Sequence, residues 1–212
     1  QSSWLRQAMR ICFGCTVLFS RFAALCSFNR ALRSALAREV AAPGYYSVYL
    51  DSFKTKVELT ATRWASLMQF SFPQSERSNI LLNLLGHGGT VEVIDDHSIR
   101  GVSKGRESID GRYFVAEFSR PFTQFGTFRR SPGDDRGWGI GNKDVAPASR
   151  SIEGDYAGAY VTYQTRPGDK VLVRMAHGTS YEQATQRLRQ ELPGWDFAAV
   201  RAAARSAWDR LL

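Results

Sequence analysis

Lys54-Thr55-Lys56-Val57-Glu58-Leu59-Thr60-Ala61 is the stretch that decides the fold. Val57, Leu59 and Ala61 fall on one side of an extended chain, and Lys56, Glu58 and Thr60 fall on the other. This two-residue period suits a strand with one buried face and does not fit the 3.6-residue period of a helix. The pattern repeats outward along the chain. Met68, Phe70 and Phe72 alternate until Pro73 ends the run. Ile80, Leu82 and Leu84 alternate ahead of Gly86-His87-Gly88-Gly89, which supplies a turn. Val91 and Val93 follow, then residues 113–118, 159–165 and 170–175. The last two runs are joined by Arg166-Pro167-Gly168-Asp169, a hairpin connection. Many short strands divided by Gly, Pro and Asp turns predict a mainly β protein, an antiparallel β-sandwich rather than a parallel α/β sheet.

Two helices are expected to close the chain. Thr179 with Glu182 reads as a capping box that opens a helix running to about Leu192, and Pro193-Gly194 stops it. Asp196 reads as the N-cap of a second helix over residues 197–212. Phe197, Val200, Ala204, Ala207, Trp208 and Leu211 share one of its faces, which predicts a partner surface and a chain that continues past Leu212.

The 212 residues are enough to bury a proper core, and 43% hydrophobic content is ordinary for a globular protein. No uninterrupted apolar run is long enough for a transmembrane helix. The net charge of +8 is concentrated at one end. Arg6, Arg10, Arg21, Arg30, Arg33 and Arg38 stand in a segment without Asp or Glu, which leaves 22 of the 28 basic residues to face 20 acidic ones. A nucleic-acid groove needs its cations on one folded face, so that class is set aside. All three cysteines, Cys12, Cys15 and Cys26, lie in the same segment, and no second Cys or His pair follows at zinc spacing. Residues 1–37 therefore read as an atypical segment, either signal-like, with Ala35-Leu36-Ala37 as a cleavage site, or translated from a shifted frame. Residues 38–178 form the sandwich domain and 179–212 a helical linker.

Few residues offer chemistry. No G-x-S-x-G, Walker loop or H-E-x-x-H occurs, and His87, His97 and His177 lie in separate segments. Asp95-Asp96-His97 offers an acid–base cluster, but it directly follows a strand, where paired acids are usually solvated turn residues. In the glycine-rich loop from Ser131 to Asn142, Trp138 offers a flat face for a sugar ring, with a buried anchor as the plainer role.

Several stretches in collinear order resemble glycoside hydrolase family 92, the calcium-dependent α-mannosidases. Pro43-Gly44-Tyr45-Tyr46-Ser47-Val48 followed by Lys56-Val57-Glu58-Leu59-Thr60-Ala61-Thr62 is similar to that family's opening strands. Phe72-Pro73 with Ile80-Leu81-Leu82-Asn83-Leu84 continues the likeness, as do Tyr113-Phe114 through Phe118-Ser119-Arg120-Pro121-Phe122. Gly158-Ala159-Tyr160-Val161-Thr162-Tyr163, Glu191-Leu192-Pro193-Gly194-Trp195-Asp196-Phe197 and Ala207-Trp208 complete it. Residues 1–37 lack the family's Gly-Asp motif.

The resemblance implies a supersandwich-like N-terminal domain with C-terminal linker helices, leading to an (α/α)6 catalytic barrel beyond Leu212. The acid, the base and the calcium ligands of such inverting exo-α-mannosidases sit mainly in that barrel. No catalytic or metal-ligating residue is then expected in this chain, and calcium belongs to the full-length enzyme. The partners implied are the chain's own catalytic domain and α-mannoside glycans, with no nucleic acid and no membrane. The location implied is secreted or periplasmic. A stand-alone carbohydrate-binding sandwich is the alternative.

Overall fold

The computed structural model describes residues 39–84, 88–104, 112–131 and 143–210, together with the backbone of Cys15–Leu18. The strands are β1 (Cys15–Leu18), β2 (Glu39–Ala42), β3 (Tyr45–Leu50), β4 (Thr55–Ala61), β5 (Ala65–Ser71), β6 (Ser75–Leu84) and β7 (Gly89–Val93). They continue with β8 (Ser98–Ser103), β9 (Arg112–Phe118), β10 (Gln124–Arg130), β11 (Lys143–Pro147), β12 (Ser151–Glu153), β13 (Gly158–Thr165) and β14 (Lys170–Gly178). Helices α1 (Tyr181–Glu191) and α2 (Phe197–Asp209) follow. The strands form a five-stranded sheet in the order β1-β6-β13-β10-β11 and a nine-stranded sheet in the order β12-β7-β8-β9-β14-β5-β4-β3-β2. Every pairing is antiparallel. The expected sandwich is present.

The alternating residues meet between the two sheets. Met68, Phe70 and Phe72 from the large sheet face Ile80, Leu82 and Leu84 from the small one, with Val91, Val93, Phe114 and Phe118 in the same cluster. Val57 and Leu59 pack against its edge. Burying such a set removes water from about 100 to 200 Å² per large side chain, the main favourable term in folding. β5 and β13 are buried on both faces. For β5 the second cover is helical: Ala65, Leu67 and Ala176 on the outer face of the large sheet pack under Leu188 and Leu192.

Close packing also explains a glycine. A Cβ on Gly101 in β8 would stand 2.5 Å from Phe114 Cε1 and 2.5 Å from the Thr90 carbonyl oxygen. The Phe114 ring occupies the space that a side chain at 101 would need. Gly101→Ala is therefore expected to lower stability by about 1–3 kcal/mol, measured by urea unfolding.

Both helices differ in detail from the expectation. The N-cap of α1 is Ser180, one residue after Thr179, and its hydroxyl accepts from the Gln183 amide. Gln183 Oε1 reaches back to the Thr179 amide, so Gln183 rather than Glu182 closes the cap. The reason is geometric, because β14 holds its ladder through Gly178 and leaves the first free turn at 179–180. In α2 the Asp196 cap forms as expected, with its carboxylate accepting from the Ala199 amide at 2.9 Å. Only the first half of the expected apolar face is covered. Phe197 and Val200 pack toward the sheet and Ala204 is buried, whereas Ala207 and Trp208 are exposed. Leu211 lies outside the described residues.

Candidate functional site

The sandwich has two unlike ends. One carries short turns: 51–54, 94–97, 119–123 and 166–169. The hairpin at Arg166–Asp169 belongs here, with Gly168 at φ +84° and the Asp169 amide donating to the Arg166 carbonyl. At the other end, β6 and β7 are joined through 85–87, β8 and β9 through 105–111, and β10 and β11 through 132–142. Those three connections lie outside the described residues, but their flanking residues come together. The Leu84 amide bonds to the Ala157 carbonyl, Gly154 to Gly89, and Arg130 to Asp155. β14 ends here too, where Gly178 pairs with Tyr113. Connections at the end of a rigid sandwich are where binding residues usually lie, and two of these, 104–111 and 131–142, are longer than any turn at the other end.

Two clusters sit at this loop end. In the first, Asp155 Oδ1 accepts from the Gly88 amide at 2.8 Å, and Oδ2 accepts from Arg130 Nη2 at 2.7 Å. The Arg130 guanidinium lies 4.8 Å and Lys143 Nζ 5.1 Å from the Tyr156 ring centroid. Tyr156 holds φ at +50°, a left-handed conformation costly for an aromatic residue. Two cations stand over the ring held in that conformation, and the Asp155 carboxylate fixes one of them. Tyr156 is itself buried under the two cations, so the cluster braces the loop end rather than presenting an open ring face.

The second cluster surrounds the turn between β4 and β5. Trp64 is 43% exposed there, and the Arg187 guanidinium of α1 lies 4.0 Å from the centroid of its ring. Glu191 accepts from the Thr62 hydroxyl and the Trp64 amide, pinning the turn to α1. Arg187 also donates to the His177 carbonyl at 2.7 Å. The His177 ring is enclosed beside Phe114, and its Nε2 has no hydrogen-bond partner. Burial pushes its pKa down to about 4, assisted by Arg112 and Arg187.

Elsewhere, a groove of about 420 Å³ runs beside α2, lined by Tyr45, Glu58, Phe197, Arg201 and Arg205 among others. Its carboxylate is fully engaged. Glu58 accepts from the Tyr45 hydroxyl at 2.7 Å, Gln69 at 2.8 Å and Lys56 at 3.0 Å. Burial alone would raise the Glu58 pKa, and these three donors together hold it below the usual range.

The residues singled out from sequence fare unevenly. Trp138 lies outside the described residues, on the 132–142 connection whose flanks, Arg130 and Lys143, belong to the loop end. His87 is likewise outside them. Asp95, Asp96 and His97 do come together, with ligand atoms within 4.8 Å of one another, but on an exposed turn at the opposite end. Asp95 Oδ1 accepts from the His97 amide and the Ser98 hydroxyl, and Asp96 Oδ1 lies 2.7 Å from His97 Nδ1. Burial works against it, yet those bonds hold the Asp95 pKa below its ordinary value. The cluster closes a β-turn and lacks the six to eight oxygens calcium requires, so it does not fit that ion. Trp64 was missed from sequence, although its place as an aromatic between two strands was a signal that could have found it. Arg130, Asp155 and Tyr156 gave no local signal, because distant strands bring them together.

The description "Glycosyl hydrolase family 92 N-terminal domain" matches residues 23–178, ending at the last residue of β14. A protein of Arthroderma benhamiae described as an uncharacterized secreted glycosidase is 25% identical over 214 residues, covering 88% of this chain and 27% of that protein. A family GH92 inverting mannosidase from Bacteroides thetaiotaomicron superposes with a TM-score of 0.73 at 21% identity, over 92% of this chain and 26% of the other. A GH92 α-mannosidase from the same bacterium, solved with mannoimidazole, gives 0.67 at 26% identity, over 82% and 23%. The chain thus spans about a quarter of the relatives it matches. Among the described residues, no helix is long and apolar enough to cross a membrane.

Proposed function

The chain belongs to glycosyl hydrolase family 92, by its match to the family's N-terminal domain, and from that premise we propose that it is the non-catalytic N-terminal part of a secreted exo-acting α-mannosidase. The observation that carries this reading is that the strand ends flanking 85–87, 105–111 and 132–142 meet at one end of the sandwich, with Arg130, Asp155, Tyr156 and Trp64. That end shapes the rim of a mannoside pocket, and the Trp138 connection contributes to it. The partner domain supplies the carboxylic acid that protonates the leaving group, the carboxylate that activates water, and calcium. The relatives' fourfold greater length and the half-covered face of α2 support a domain packed against this one. Secretion is supported by the description of the fungal relative.

The test is direct. The 212-residue chain alone, given α-mannosides and calcium, is expected to show no turnover, whereas the product of the whole gene hydrolyses them with inversion. Robust hydrolysis by the fragment would overturn the assignment. The exposed indole of Trp64 favours one alternative, a stand-alone carbohydrate-binding module. Titrating mannose oligosaccharides against tryptophan fluorescence separates the two. Saturable binding by the fragment together with a gene that stops at Leu212 would establish the module.

A further inference from the structure

We propose that His177 is an acid-sensitive latch whose protonation releases α1 and the Thr62–Trp64 turn from the loop end of the sandwich. The residue stands where β14 hands over to α1, and its main chain holds both neighbours. Its carbonyl accepts from Arg187, and its amide donates to the Trp64 carbonyl at 3.4 Å. Its ring is enclosed with Nε2 unpartnered, so a proton there gains no hydrogen bond among the described residues.

The charges around it are one-sided. β9 contributes Arg112 and α1 contributes Arg187, and the β4–β5 turn, which His177 holds through the Trp64 carbonyl, carries Arg63 against the Trp64 ring. The carboxylates of α1 are engaged elsewhere. Glu191 on α1 serves the Thr62 hydroxyl and the Trp64 amide, and Glu182 interacts with Arg100. A protonated His177 would therefore add a cation within the influence of Arg112 and Arg187, with its buried Nε2 unpartnered. Relief comes from moving Arg187 off the His177 carbonyl, which also takes it off Trp64 and frees the last turns of α1.

The direction with pH follows from linkage. The closed state holds the imidazole neutral with a pKa of about 4, and the opened state returns it toward its ordinary 6.5. Between those values the opened state binds more protons, so falling pH favours opening and the closed state is fully secured only above 6.5.

The experiment follows the three histidine rings by NMR in the 212-residue chain, together with amide exchange corrected for intrinsic rates. His177 is expected to titrate near pH 4, and the opening of α1 to rise by on the order of a hundredfold between pH 6.5 and 4. His177→Phe is expected to abolish that rise. Arg112→Gln, on an exposed side chain, is expected to raise the His177 pKa and reduce the rise, which keeps the test sound if the first variant folds poorly. Titration of His177 near 6.5, or α1 exchange that is level with pH, would overturn the latch. So would an equal rise in both variants.

Discussion

Replacing Phe114 with Ala is expected to destabilise the protein by about 3–5 kcal/mol, the largest cost of any single truncation argued for this chain. The ring is 1% exposed and belongs to the main core cluster between the sheets. Two features prevent the site from collapsing after truncation. β8 presents Gly101 on one side of the ring, so no neighbouring side chain can swing in from that position. The strands on either side are fixed by continuous ladders, from Arg100–Val115 through Ser103–Arg112 on one edge and from Val173–Phe118 to Gly178–Tyr113 on the other. A void that cannot close costs both the transfer energy of the ring and the lost dispersion contacts around it. Urea unfolding is the measurement, with a lower midpoint and an unchanged slope. A cost under about 1 kcal/mol would show that the sandwich slides to fill the gap. The Phe114 ring also lies 6.5 Å from the His177 imidazole. Truncation is expected to admit water there and move the His177 pKa upward from about 4 toward its ordinary value.

The residues that make this argument possible were only partly legible in the sequence. A period of two announced β4 with its inward face and the inward Met68 and Phe70 of β5, with Phe72 just beyond, but not the outer Leu67 that the helices cover. It announced neither β8 nor β10, because Gly101 and Gly126 stand where an apolar residue would have marked the alternation. Each glycine is there for a distant ring, Phe114 in one case and Tyr160 in the other. β12 is only three residues long and held at a sheet edge by Thr90–Glu92. The site was harder still. Trp138 was read from local composition, whereas the Arg130–Asp155–Tyr156 cluster depends on a contact across 25 residues and a left-handed backbone at a tyrosine. Neither has a signature in a short window. Helix capping was read one residue early because Thr179 and Ser180 are chemically equivalent caps, and the end of the β14 ladder chose between them.

Arg174→Ala is expected to cost about 2–4 kcal/mol, more than a surface ion pair would, because one guanidinium serves three partners. Arg174 stands directly opposite Glu117 in the large sheet, and its Nε and Nη2 donate to Glu117 Oε2 at 2.9 and 2.6 Å. Nη1 donates at 2.6 Å to the carbonyl of Leu192, the C-cap of α1, and the group lies 4.6 Å from the centroid of the Trp195 ring. It thereby ties the sheet to the end of one helix and to the connection that starts the next. Removing it leaves a half-buried Glu117 without its cation and a helix-terminal carbonyl without a donor. Lys cannot supply the planar fork, so Arg174→Lys is expected to recover less than half of the loss. A double-mutant cycle with Glu117→Gln separates the ion pair from the Leu192 bond, and a residual cost above about 1 kcal/mol assigns the remainder to the helix connection. The consequence reaches beyond stability. The Arg174–Trp195 contact sets where α2 leaves the sheet, so amide exchange in Arg174→Ala is expected to rise across residues 193–209 while β5 stays protected. Equal loss in both would mean that Arg174 supports the sandwich as a whole rather than the course of the chain out of it.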